Sequence, residues 1–101
     1  MKIVAEYKEF SDIFDKSLVD NIHIKNPNKI ILLAYMKNAE VKGIRCSSAI
    51  DYVKNENTGL SVKKYSDGEF VWTDEMIYHF EKYDLKLSDS FERYVLSNMI
   101  R

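Results

Sequence analysis

The sequence predicts an α+β fold: one domain with about four helices packed on a small, mainly antiparallel sheet. Three observations carry this. Apolar residues recur at helical spacing in four separate segments, which period-3.6 patterning explains. Between the second and third of these lie two short runs of alternating residues, Leu60 to Tyr65 and Glu69 to Trp72. Asp67-Gly68 joins those runs and is a strong hairpin signal. The chain has 101 residues, three glycines and one proline, with no repeat or low-complexity stretch, so it reads as a single domain, residues 1–101.

Taken in order, Ile3, Val4 and Tyr7 are a short strand or a lead-in. Residues 9–20 are expected to be helical, with Phe10, Ile13, Phe14 and Leu18 on one face. A second helix starts with Asn26 as cap and Pro27 at its first position, where a missing N–H costs nothing. Ile30, Ile31, Leu33, Ala34 and Tyr35 give it a broad apolar face, the pattern of a central core helix, and Asn38 in the left-handed conformation would end it. Val41 to Cys46 reads as a strand, 49–53 as a short strand or helical turn, and Lys54 to Gly59 as a polar loop. A type I′ turn at Asp67-Gly68 would set Tyr65 opposite Phe70 and Lys63 opposite Trp72, with Tyr65, Phe70 and Trp72 on one face. Thr73 then caps a third helix whose Trp72 and Ile77 form a hydrophobic staple. Its apolar side is Met76, Ile77, Phe80 and Tyr83, with Asp74 and Glu75 complementing the dipole. After a break at Tyr83 to Leu87, Ser88 or Asp89 caps the last helix, where Asp89 and Glu92 would form a capping box.

Apolar residues make up 46% of the chain, sufficient for one core without disulfides, and the lone Cys46 fits a reducing compartment. The first residues reach charge at once and offer no signal-peptide core, and the longest apolar run, Ile30 to Met36, is too short to span a bilayer. A cytoplasmic protein without membrane association is expected. Net charge is −1, which argues against a dedicated nucleic-acid binder. The balance is uneven: residues 25–64 are basic, whereas residues 65–101 are acidic.

No catalytic or metal-binding pattern emerges. His23, His79 and Cys46 are far apart and lack ligand spacing, so no metal or cofactor is expected. Cys46 has only Arg45 beside it to lower its pKa. Gly43, Gly59 and Gly68 are isolated and form no phosphate loop. Arg45, Lys54, Lys63 and Lys64 could form a basic patch, with Tyr65, Phe70 and Trp72 as stacking platforms for nucleic acid; the same aromatics serve equally as sheet core, the preferred reading. Seven tyrosines exceed what such a core hides, so exposed phenols suited to a protein interface are expected.

The run Tyr65 to Tyr78, followed by Glu81 to Leu87 and Phe91, resembles the C-terminal part of small bacterial proteins, among them cytosolic immunity proteins of polymorphic toxin systems. In these an Asp-Gly-x-aromatic-x-Trp segment leads into a helix, then a Lys-Tyr-x-Leu-x-Leu break and a final helix. The resemblance extends more loosely back to the helix at Ile30. It implies a non-enzymatic inhibitor that binds a toxin domain; the acidity of residues 65–101 makes Asp67, Glu69, Asp74 and Glu75 the first candidates for contact with a basic surface on that partner. An inhibitor of a host defence system carried by a phage or mobile element, or a small nucleic-acid-binding module, are the alternatives.

Overall fold

The computed structural model describes residues 2–99. In chain order it contains β1 (Lys2–Ile3), a 3-10 turn (Leu18–Asp20), α1 (Lys29–Lys37), β2 (Glu40–Asp51), β3 (Glu56–Ser66), β4 (Phe70–Thr73), α2 (Asp74–Tyr83) and α3 (Asp89–Met99). The fold is α+β, as expected. The four strands form one mixed sheet in the order β1-β4-β3-β2, parallel between β1 and β4 and antiparallel elsewhere.

The described residues hold three α-helices, not four. The expected helix over 9–20 is instead a closed loop. The Lys8 N–H donates to the Lys16 carbonyl at 2.8 Å, and the Glu9 carboxylate accepts from the Ser17 hydroxyl and the Leu18 N–H. Those bonds turn the chain back on itself, so the helical spacing of its apolar residues never becomes a face. Leu18 is buried, whereas Ile13 is 77% exposed.

α1 also departs from expectation. Asn26, Pro27 and Asn28 form a turn in which the Asn26 side chain accepts the Asn28 N–H, and the helix starts at Lys29. Asn38 ends it at φ −97, outside the left-handed region, with its side-chain amide donating to the Ala34 carbonyl. Only Leu32 and Met36 of α1 are buried, and Ile30 is 84% exposed. α1 therefore lies on the flank of the core and is not its centre.

β2 and β3 are longer than the strands expected from sequence, and they pair with each other as a hairpin. β2 runs through to Asp51, the tip is 52–55, and the expected polar loop at 54–59 belongs largely to β3. Pairing with β2 supplies the ladder bonds that these polar residues do not advertise locally. The register slips between Val41 and Gly43, and twice more between Arg45 and Ile50. Gly59, at φ +76, falls within the irregular stretch of β3.

The joint between β3 and β4 keeps its glycine but shifts its centre. Tyr65 pairs with Trp72 and Ser66 with Val71, so the central residues are Gly68 and Glu69. Only Gly68 has positive φ, the requirement of a type II′ turn; Asp67 does not, which excludes type I′. The shift carries Tyr65 from Phe70 to its second neighbour Trp72. Because side chains alternate with period two, Tyr65, Phe70 and Trp72 still share a face. The Tyr65 and Trp72 rings stack at 6.4 Å.

That face meets the helices. Phe70, Trp72, Phe80 and Phe91 are buried together with Leu32, Met36, Leu85 and Leu87, and Trp72 donates its indole N–H to the Met36 carbonyl. Trp72 and Ile77 both enter this core. α2 ends at Asp84 in the left-handed region, and Lys29 bridges from α1 to both the Glu81 carbonyl and the Asp84 carboxylate. The expected capping box of α3 is absent: Lys86 takes both Asp89 and Glu92, while Glu92 also accepts from Asn26.

Candidate partner-binding surface

Three of the four acids expected to face a partner serve the fold. Asp67 lies in the joint, where one carboxylate oxygen accepts the N–H groups of Glu69 and Phe70 at 2.9 and 2.7 Å. Its other oxygen accepts the Tyr35 hydroxyl. Burial, and then this carboxylate, push the Tyr35 phenol well above its ordinary value. Asp74 accepts the Lys63 N–H at 2.9 Å and the Tyr65 hydroxyl at 2.7 Å. Tyr65 is correspondingly pushed up to about 12, by burial first and by Asp74 second. Glu75 is 2% exposed and takes Arg45 on one oxygen and the Ile50 N–H on the other. Glu69 alone stands in solvent, 3.4 Å from Lys2. The expected acidic rim thus reduces to one exposed carboxylate, because each of the others satisfies a donor that the turn, strand end or helix start would otherwise leave bare.

A second buried polar group lies under α2. His79 is fully buried, not at the edge of its helix. Its Nε2 accepts the Tyr52 N–H at 3.0 Å, which places the ring proton on Nδ1, directed at the Glu75 carbonyl. Glu75 and His79 are four apart on α2, and the N–H groups they receive, from Ile50 and Tyr52, are two apart on the chain leaving β2. Four helical residues advance about 6.0 Å and two extended residues about 6.6 Å, so the two spacings match. Asp51 is buried alongside and accepts from the Tyr78 and Tyr83 hydroxyls and from the N–H groups of Val53 and Lys54. Burial raises its carboxyl, but the Tyr83, Lys54, Tyr78 and Val53 donors more than offset this and hold it at about 2. Every hydrogen-bonding direction here ends inside the protein, which suits a structural clamp.

All seven tyrosines are buried or half-buried, contrary to the expectation of exposed phenols. Hydroxyls of Tyr7, Tyr35, Tyr65, Tyr78 and Tyr83 donate to internal acceptors. Phe70 and Trp72 are buried, so neither is offered as a stacking platform. Among the described residues no three His, Cys, Asp or Glu side chains gather as metal ligands. No helix of the described residues is long and apolar enough to cross a membrane.

Charges of both signs are exposed, and several branched apolar side chains stand outside with them. Ile30 and Ile31 on α1, Val41 and Ile44 on β2, and Leu60 on β3 are exposed. An open groove of about 930 Å³ runs where the end of α1, the start of β2 and the β3–β4 joint converge; Tyr35, Ala39, Glu40, Lys42, Lys64 and Asp67 are among its walls. A smaller cleft adjoins it through Lys64 and includes Arg45 and Thr73. Of the basic residues singled out in the sequence, Arg45 and Lys64 come together here, Lys63 lines a separate depression with Asp74, and Lys54 lies at the hairpin tip. Thr73, read from sequence as a helix cap, is the wall residue that sequence reasoning missed. No protein-family model, curated protein or solved structure matches this chain.

Proposed function

We propose that this chain is a non-catalytic protein-binding inhibitor, of the kind that neutralises a bacterial toxin by occupying it. One observation carries the reading. Buried carboxylates, the buried histidine and most phenols are hydrogen-bonded internally, whereas branched apolar side chains stand exposed on regular elements beside a groove. Rigid apolar anchors flanked by charge supply protein interfaces with affinity and selectivity. The sequence resemblance to immunity proteins agrees with it in kind and suggests the class of partner.

Co-expression with bacterial toxin domains, taken first from any toxin gene that sequencing finds beside its own, tests the proposal. The expected result is restored growth and co-purification of the two proteins; persistent toxicity with no complex would sink it. Reversing Glu69 is the informative acidic variant. Reversing Asp74 or Glu75 removes acceptors that the fold needs, so lost binding there would report unfolding.

A further inference from the structure

The smaller cleft, about 330 Å³, is lined by Gly43, Ile44, Arg45, Val62, Lys64 and Thr73. Among the described residues its ionisable lining is Arg45 and Lys64, with no carboxylate. Arg45 already holds Glu75 at 2.9 Å, and Lys64 is exposed with no ion-pair partner among the described residues. Gly43 keeps one wall open, since a Cβ there would meet nothing within 4 Å. Ile44 stands on the wall 69% exposed.

Thr73 supplies an independent clue. A threonine at the N-cap ordinarily turns its oxygen onto an N–H of the first helical turn. Here it makes no such bond, and its Oγ1 is buried without a partner among the described residues. A buried hydroxyl in that state lowers stability, and such groups in folded proteins call for an explanation beyond packing.

We propose that this cleft receives a carboxylate side chain from a protein partner, with Lys64 as its counter-ion and the Thr73 hydroxyl as its hydrogen-bond donor, once rotation about χ1 of the half-buried Thr73 turns its oxygen into the cleft. Ile44 packs against an apolar neighbour of that acid. The assignment rests on the reading of the chain as a protein-binding inhibitor and adds the sign of charge its partner presents at this point. Lys64 also borders the larger groove, so a segment anchored here continues along Ala39 and Tyr35. A nucleic acid fits less well, because strand binding draws on several free cations and on exposed aromatics, whereas Phe70 and Trp72 are buried.

The test titrates the full chain with a short peptide alternating glutamate and leucine, and with its lysine–leucine counterpart, following backbone amide shifts. The acidic peptide is expected to shift Gly43, Ile44, Lys64 and Thr73, and the basic one to leave them unmoved. Lys64→Glu should abolish the response, Thr73→Val should weaken binding about fivefold, and Thr73→Ser should restore it. The weakening corresponds to about 1 kcal/mol, the contribution of one hydrogen bond. A purely structural hydroxyl predicts equal affinity for Thr73→Val and wild type, which would overturn the assignment. Equal response to both peptides, response to neither, or preference for an oligonucleotide would overturn it as well. The toxin assay separates the two proposals. If wild type protects cells and Lys64→Glu protects equally, the cleft is wrong and the inhibitor reading stands. If the peptide binds as expected but no toxin is neutralised, the reverse holds.

Discussion

Asp51 concentrates more internal bonding on one side chain than any of the acids that sequence brought forward. Two phenols and two backbone N–H groups converge on it, and its carboxyl is held at about 2. An unfolded aspartate titrates near 3.9. The folded value is the lower of the two, so as pH falls the unfolded chain takes up the proton first. The stabilisation is fully present above about pH 4 and is lost as pH drops towards 2. Thermal melts across that window should show stability falling for wild type and a flatter dependence for Asp51→Asn. Asp51→Ala should cost about 3 kcal/mol, because it leaves buried donors without an acceptor; a loss under 1 kcal/mol in urea unfolding would contradict this. Nothing near Asp51 in sequence announces the role. Tyr78 and Tyr83 are more than twenty residues away, and only the fold brings them together.

Among the elements, α2 and the joint before it illustrate what local sequence can and cannot specify. Helix start, helix end and the shared face of Tyr65, Phe70 and Trp72 were legible, since each depends on neighbours within a few residues. The turn centre was displaced because the Asp67 side chain, by accepting two N–H groups ahead of it, favours glycine as the first central residue. Residues 9–20 were misread for a related reason: Glu9 satisfies Ser17 and Leu18 within a loop, a possibility that helical periodicity does not register. The cleft at Lys64 was wholly illegible, as it depends on bulges in β2 and on the pairing of Lys64 with Gly43 and Thr73.

Two predictions belong at this scale. His79→Ala should raise amide exchange at Tyr52 well above that of the adjoining β2 amides, because Nε2 is the acceptor of that N–H; unchanged exchange would refute the strand-end role. Thr73→Val should raise Tm by a few degrees. It deletes an unpartnered hydroxyl, loses no capping bond and keeps an extended backbone that valine favours. A lower Tm would show that the oxygen is bonded in solution.

For the molecule as a whole, a few polar side chains, Asp51, Glu75 and His79 among them, are buried beside the apolar core, while several branched apolar side chains are left outside. That distribution inverts the expectation of a core helix at α1 and an acidic rim at the joint. Ile30→Lys and Ile31→Lys should therefore change unfolding free energy by no more than about 0.5 kcal/mol, as exposed substitutions do. A cost of 2 kcal/mol would mean that these residues are buried in solution. The same pair provides a check on binding, since variants that fold as wild type but fail to hold the partner would place α1 within the interface.

The closed loop between Lys8 and Ser17 has a practical consequence. Its two ends are fastened to each other by the Lys8–Lys16 backbone bond and the Glu9 carboxylate, and its tip stands in water at Ile13. Strain applied at the tip is absorbed at that neck before it reaches the sheet, the condition under which insertions are tolerated. A fluorescent or affinity tag inserted at Ile13 should leave the thermal transition in place, giving a handle for immobilising the protein.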